Sequence, residues 1–305
     1  MSAPAEVSAA SQVEVLGARV HWVELGEDTS DGPPEAICLF VHGLGGSSVN
    51  WEALAPVLAP PFRCVALDLV GFGRTDAGSR RAGVPDNTEL LAAFVEQVLP
   101  VGMPLLLVGN SMGGLIAARY AAAHPGRLAG LVLLDPAVPP PRPVPGPGTL
   151  AAIGIYGIPR LGATVARARR RWRTPEESVQ DTLRLCTVAP EEIDPAVVQR
   201  HIELAHDRIS RPEQDPLYSE AARSMFALLA RRRQADATYD GITGPVLLVH
   251  GTHDRLVGFG SALRMARRHP EWRFRPLSGR GHLPMLEAPR WLGEQILDWW
   301  RARRD

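Results

Sequence analysis

The residues with the most evident chemistry are those of Gly109-Asn110-Ser111-Met112-Gly113-Gly114, where a serine stands between glycines at the spacing G-x-S-x-G. Ahead of it, Leu105-Leu106-Leu107-Val108 follows Pro104, and such an apolar run suits a strand buried on both faces, as in a parallel sheet. Behind it, Leu115 to Ala123 is rich in helix formers and runs to His124-Pro125, where proline disfavours continuation. A serine on so sharp a strand-to-helix turn presents its hydroxyl at a helix N-terminus, whose unpaired N–H groups favour negative charge. The flanking residues must be small, because the turn brings the two backbones together. Serine alone is a poor nucleophile at neutral pH. A base must take its proton as it attacks a carbonyl carbon, and a carboxylate must orient that base. Taken singly, Ser111 could instead be an ordinary helix N-cap.

The elements around this stretch follow from hydrophobic patterning. Val13 to Leu25 alternates about Gly17 and predicts an antiparallel hairpin. Ala36 to Val41 predicts a buried strand that leaves through His42-Gly43-Leu44-Gly45-Gly46, where glycines let the backbone approach a ligand closely. A short helix is expected over Trp51 to Leu58, a strand over Phe62 to Leu69, a helix over Thr88 to Leu99 and a strand over Leu128 to Leu134. Further strands are expected over Pro245 to His250 and Trp272 to Leu277, with a closing amphipathic helix from Pro289 to Arg301. Strands alternating with helices indicate an α/β protein with a largely parallel sheet and helices on both faces. Between them the composition shifts. Pro139 to Gly148 reads as a stiff, extended hinge, and Thr149 to about Asp240 reads as helical, with arginine clusters at Arg167 to Arg173 and Arg231 to Arg233. Such clusters usually form solvated helix faces, and a substrate carboxylate site is the alternative. The expected organisation is a core of residues 1–137 and 241–305, interrupted at 138–240 by a helical cap with a proline-rich hinge.

Bulk properties narrow the function. The 305 residues are 45% hydrophobic, enough for a sizeable core, and 33 basic residues, all arginine, cancel 33 acidic ones. That balance gives no electrostatic reason to expect nucleic acid or an anionic membrane as partner. Cys38, Cys64 and Cys186 form neither a disulfide framework nor a zinc spacing. Residues 1–11 lack a charged n-region and an apolar core, and no run reaches the roughly 18 apolar residues of a spanning helix. The expectation is a soluble, cytoplasmic protein without a membrane span, cofactor or metal. His250 and His253 invite a metal reading, but His250 falls on a strand and no third ligand is spaced for it.

Together, His42-Gly43-Leu44-Gly45-Gly46, Gly109 to Gly114, Gly251-Thr252-His253-Asp254 and Gly281-His282 resemble the α/β-hydrolases of the capped, serine-nucleophile kind, over nearly the whole chain. The resemblance implies the α/β-hydrolase fold, a mostly parallel central sheet with helices on both faces and an inserted helical cap. It implies Ser111 as nucleophile, Asp254 as acid and His282 as base, in that family's chain order. His282 lies in a glycine-flanked loop after the last expected strand, and Asp254 follows the strand ending at His250. The oxyanion hole falls to the backbone N–H groups of Leu44 and Met112. Asp135 also ends a strand, and some members of the family carry the acid there, so it competes with Asp254. Asp68 is expected to serve the sheet edge and the glycine turn after it.

The implied function is hydrolysis of a carboxylic ester, or a related acyl bond, through an acyl-enzyme formed with a small, largely apolar substrate. Serine at position 111 speaks against the haloalkane dehalogenases and epoxide hydrolases of this fold, which use aspartate there. An alternative is a carbon–carbon bond hydrolase of the meta-cleavage-product type, whose elbow is similar. The loop 42–46 and Leu283, where that family usually has tryptophan, depart from it. Thioesterase, lactonase and perhydrolase activities stay open, as does a ligand-binding protein of this fold that has lost catalysis. Ile153, Ile155, Tyr156, Ile158, Leu161, Met225 and Phe226 either line an apolar acyl pocket or form the core of the cap.

Overall fold

The computed structural model describes residues 7–26, 32–59, 61–140 and 172–303. Among these, eight strands form one sheet: β1 (Val7–Val15), β2 (Ala18–Leu25), β3 (Ala36–Val41), β4 (Phe62–Leu67), β5 (Leu105–Asn110), β6 (Gly130–Leu134), β7 (Val246–Gly251) and β8 (Arg273–Leu277). Their spatial order is β1-β2-β4-β3-β5-β6-β7-β8. β2 pairs antiparallel with both β1 and β4, and every other pairing is parallel. The helices of the sheet's own connections are α1 (Ala55–Leu58), α2 (Val84–Val98) and α3 (Met112–Ala123). Between β6 and β7 lies an inserted helical region holding α4 (Pro175–Cys186), α5 (Pro195–Ile209), α6 (Gln214–Ala230) and α7 (Arg232–Asp240). The chain then adds α8 (Phe259–Arg268), α9 (Pro284–Glu287) and α10 (Pro289–Ala302).

Every residue of β3 and β5 is buried, as befits central parallel strands covered on both faces. Their side chains alternate between two cores. Ile37, Leu39, Leu105 and Leu107 meet α2 and α3 on one face; Cys38, Phe40, Leu106 and Val108 meet α1 and α10 on the other. α2 starts earlier than its apolar spacing suggests, because Pro85 and Asp86 suit a first helical turn. The stretch expected as one helix at Trp51 to Leu58 is instead a 3-10 turn over Ser48–Trp51 followed by α1. Ser47 and Asn50 form a capping box that starts the turn early. α8 has no counterpart in the apolar pattern, since it buries only Ser261, Ala262 and Met265. Residues 141–148 of the hinge, 167–171 of the first arginine cluster, and Ile153, Ile155, Tyr156, Ile158 and Leu161 lie outside the described residues. Among the described residues no helix is long and apolar enough to cross a membrane.

Asp68, one residue past β4, ties the antiparallel edge to the central strands. Its buried carboxylate accepts hydrogen bonds from His21 Nδ1 at 2.8 Å and from the backbone N–H groups of Ser48 at 2.7 Å and Arg74 at 2.8 Å. Burial raises its pKa, but the bonds from His21 and Arg74 outweigh that and hold it below the usual carboxylate range. The following turn wraps so tightly that a Cβ on Gly73, at φ +52°, would fall 2.1 Å from Asp68 Cγ. Asp68→Ala strands these donors and should cost about 3 kcal/mol of stability, read from urea unfolding. The depressed pKa sets the sign with pH. The stabilisation is complete above the unfolded value of about 3.9 and is lost as pH falls through the folded value, so acid should narrow the gap between wild type and variant. Equal midpoints at neutral pH would refute this role.

Candidate active site

β5 ends at Asn110 and α3 begins at Met112, so Ser111 alone makes the reversal. Its φ of 54° and ψ of −119° mirror an extended conformation, which glycine reaches freely and other residues only under strain of about 1–3 kcal/mol. Three backbone bonds hold it there: Ser111 N–H to Leu134 O at 3.0 Å, and Ser111 O from Leu115 N–H at 3.1 Å and Ala137 N–H at 2.9 Å. The neighbouring glycines are required by close approach. A Cβ on Gly113 would meet Val41 O at 2.1 Å, and one on Gly109 would meet Gly113 O at 2.5 Å. The serine side chain makes no capping bond to α3, unlike an ordinary N-cap.

His282 and Asp254 meet in the interior. His282 Nδ1 lies 2.7 Å from Asp254 Oδ2, and both residues are buried. Asp254 Oδ1 accepts from the N–H groups of Leu256 at 2.7 Å and Val257 at 3.0 Å, which fixes the carboxylate at the exit of β7. Asn110, the residue before Ser111, uses its side-chain amide to tie the histidine loop to the elbow. Its Nδ2 donates to His282 O and to Leu134 O, each at 3.1 Å.

Asp135, at φ +44° just past β6, stands beside this pair. One atom each of Asp135, Asp254 and His282 lie within 4.8 Å of one another. That spacing could suit a cation, but an ion there would have to displace the bond between His282 and Asp254. The two carboxyls are not equivalent. Asp135 Oδ1 accepts one N–H, from Gly251 at 2.9 Å, while its buried Oδ2 has no hydrogen-bond partner among the described residues. Burial pushes its pKa well up, and the charge of Asp254 adds to the effect against the pull of His250. Asp254 is buried as deeply, yet His282 and His250 hold it far below the carboxylate range. Of the two, Asp254 gives up its proton the more readily. His250 Nε2 donates to Val257 O at 2.7 Å, whereas His253 is exposed and bonded to Thr252 Oγ1 at 2.9 Å, so the two histidines do not converge.

The glycine-rich loop after β3 closes against the elbow. Gly46 N–H donates to Gly43 O at 3.1 Å, and a Cβ on Gly43 would lie 3.0 Å from Ser111 Cβ. Leu44 sits within that turn. Met112 is the first residue of α3, where an N–H has no acceptor inside the helix. His42, kept neutral by burial, braces the loop: Nδ1 donates to Gly43 O at 2.8 Å and Nε2 accepts from Leu69 N–H at 3.0 Å. From the inserted region, the Tyr218 ring comes within 3.3 Å of a Cβ built on Gly45. Met225 and Phe226 pack into the core on the α2 and α3 face of the sheet. Tyr218 and Asn110 carry no signal in hydrophobic patterning; Asn110 could have been found only by its adjacency to Ser111.

A family model described as alpha/beta hydrolase fold matches residues 38–289. The chain belongs to this family. It is 28% identical over 295 residues to the dihydrolipoyllysine-residue acetyltransferase component of an acetoin cleaving system from Pseudomonas putida, covering 96% of this chain and 70% of that one. It is 27% identical over 269 residues to a pimeloyl-[acyl-carrier protein] methyl ester esterase from Aromatoleum aromaticum, covering 82% and 92%. Among solved structures, the haloalkane dehalogenase DbeA from Bradyrhizobium elkani superposes with a TM-score of 0.77 at 20% identity, over 97% of this chain and 98% of that one.

The strain at the alpha/beta hydrolase elbow has a measurable consequence. Ser111→Gly should be more stable than Ser111→Ala by about 1 kcal/mol or more, since only glycine relieves the positive φ. Chemical denaturation of the two variants checks this, and an alanine variant of equal stability would contradict it.

Proposed function

We propose that the protein is a serine hydrolase of carboxylic esters, with Ser111 as nucleophile, His282 as base, Asp254 as its orienting carboxylate and the N–H groups of Leu44 and Met112 as the oxyanion hole. The observation that carries this reading is the 2.7 Å bond between His282 and Asp254 in a loop that Asn110 ties to the elbow. With Nδ1 committed to Asp254, Nε2 is left to take the Ser111 proton as Oγ attacks the acyl carbon. The carbonyl electron pair moves onto oxygen, held by the two backbone donors, each worth roughly 3–4 kcal/mol in the transition state. Collapse expels the alcohol with the proton from His282, and water, deprotonated in turn by His282, releases the acid and restores Ser111. Similarity to a methyl ester esterase supports the acyl chemistry. Residues 138–240 act as the cap. Its Leu183, Ile193 and Val197 share a core with Leu283 and Met285 beside the base, which suits a largely apolar acyl group.

A fluorophosphonate probe should label Ser111 stoichiometrically and leave Ser111→Ala unlabelled; a folded wild-type protein that resists the probe would move the reading to ligand binding. Short nitrophenyl esters should turn over faster than a vinylogous diketone acid, and the reverse preference would favour the carbon–carbon hydrolase.

Asp254→Asn should lower kcat by about 10⁴-fold, because the imidazole loses its tautomer partner. Asp135→Asn keeps the shape of a side chain that bonds Gly251 N–H rather than the imidazole and should cost less than about tenfold. If the two losses are reversed, the acid is Asp135.

A further inference from the structure

The inserted helical region is joined to the histidine loop by polar backbone contacts that the proposed chemistry does not account for. Where α4 ends, Cys186 O accepts the N–H of His282 itself at 2.7 Å. Two residues on, Val188 N–H donates to Glu287 Oε2 at 2.9 Å, and Glu287 Oε1 accepts from Gly281 N–H at 2.8 Å. Glu287 is a buried carboxylate in α9, five residues after the base. Each of its oxygens thus holds one strand of a junction, the histidine loop on one side and the insertion on the other. The packing leaves no slack. A Cβ on Gly281 would fall 2.6 Å from Cys186 O, 3.0 Å from Glu287 Oε1 and 3.1 Å from Thr187 Cα. Two outer contacts run the same way: Arg280 to Glu192 at 2.6 Å, and Arg255 Nη1 to Arg184 O at 3.0 Å.

We propose that Glu287 is a positioning residue that clamps the inserted helices to the loop carrying His282, so that seating of the insertion and alignment of the base are one event. This rests on the reading of His282 as the base. The physical case is one of acceptor number. A carboxylate has two oxygens for two buried N–H donors, and burying either donor unpaired is costly. Displacing the Cys186–Val188 segment frees two donors at once, since His282 N–H loses Cys186 O and Val188 N–H loses Glu287 Oε2, while Gly281 N–H keeps the other oxygen. The insertion can then cover an acyl group only in the arrangement that also holds the imidazole against Asp254.

The test uses the full chain and a fluorophosphonate probe, with the far-downfield proton resonance of the His282 Nδ1–H as a second readout. Glu287→Gln keeps the shape but offers one acceptor where two are needed. We expect a folded variant, by circular dichroism, whose labelling is slower by on the order of tenfold and whose downfield resonance is displaced or broadened. Val188→Pro removes only the donor on the insertion side and should shift both readouts the same way. A folded Glu287→Gln protein with wild-type labelling and an unmoved resonance overturns the clamp. If that variant does not fold, Val188→Pro decides by the same two readouts. Failure of the wild-type protein to be labelled is a separate result, against the proposed function itself.

Discussion

The structure turns on one constraint, that a single non-glycine residue reverses the chain between a buried strand and a buried helix. Ser111 reaches its left-handed conformation only because Leu134, Leu115 and Ala137 fix its backbone and because Gly113 lies against the carbonyls of Val41 and His42. That contact requires β3 beside β5, and hence the crossover order of the sheet. The same order brings the exits of β3, β5, β6, β7 and β8 to one edge, where an open parallel sheet gathers the loops that bind ligands. The strain at Ser111 is therefore maintained by the whole sheet rather than by the turn.

Two aspartates at that edge show how local donors decide charge. Asp135 and Asp254 follow adjacent strands and are both buried, so composition and depth do not separate them. Asp254 is met by two backbone N–H groups and an imidazole, Asp135 by a single N–H. Two like charges this close in the interior oppose each other, and the better-solvated carboxylate keeps its charge.

The insertion is more than a cover. Tyr218 of α6 lies on the glycine loop, and the end of α4 lies on the histidine loop, so both sides of the serine are in contact with inserted residues. Asp68 has a parallel task on the far side of the glycine loop, collecting the N–H groups of Ser48 and Arg74 into one buried carboxylate. In both places a buried carboxylate joins segments that are remote along the chain.

By itself the sequence determined the central strands of the sheet, the reversal at Ser111 and the helical character of the described part of the insertion. These are local properties: runs of apolar residues, changes of period, glycines where backbones touch. Tertiary structure decided which aspartate bonds the histidine, because the His282 loop returns from 28 residues further along the chain to Asp254 and not to Asp135. It also decided the work of Asn110, Tyr218 and Glu287, whose partners lie as far as 172 residues away along the chain. α8 escaped the pattern for the same reason, since its few buried residues take their meaning from the surface they pack against. A hydrogen bond between remote segments leaves no periodic mark on either one, so it becomes visible only when the chain has folded.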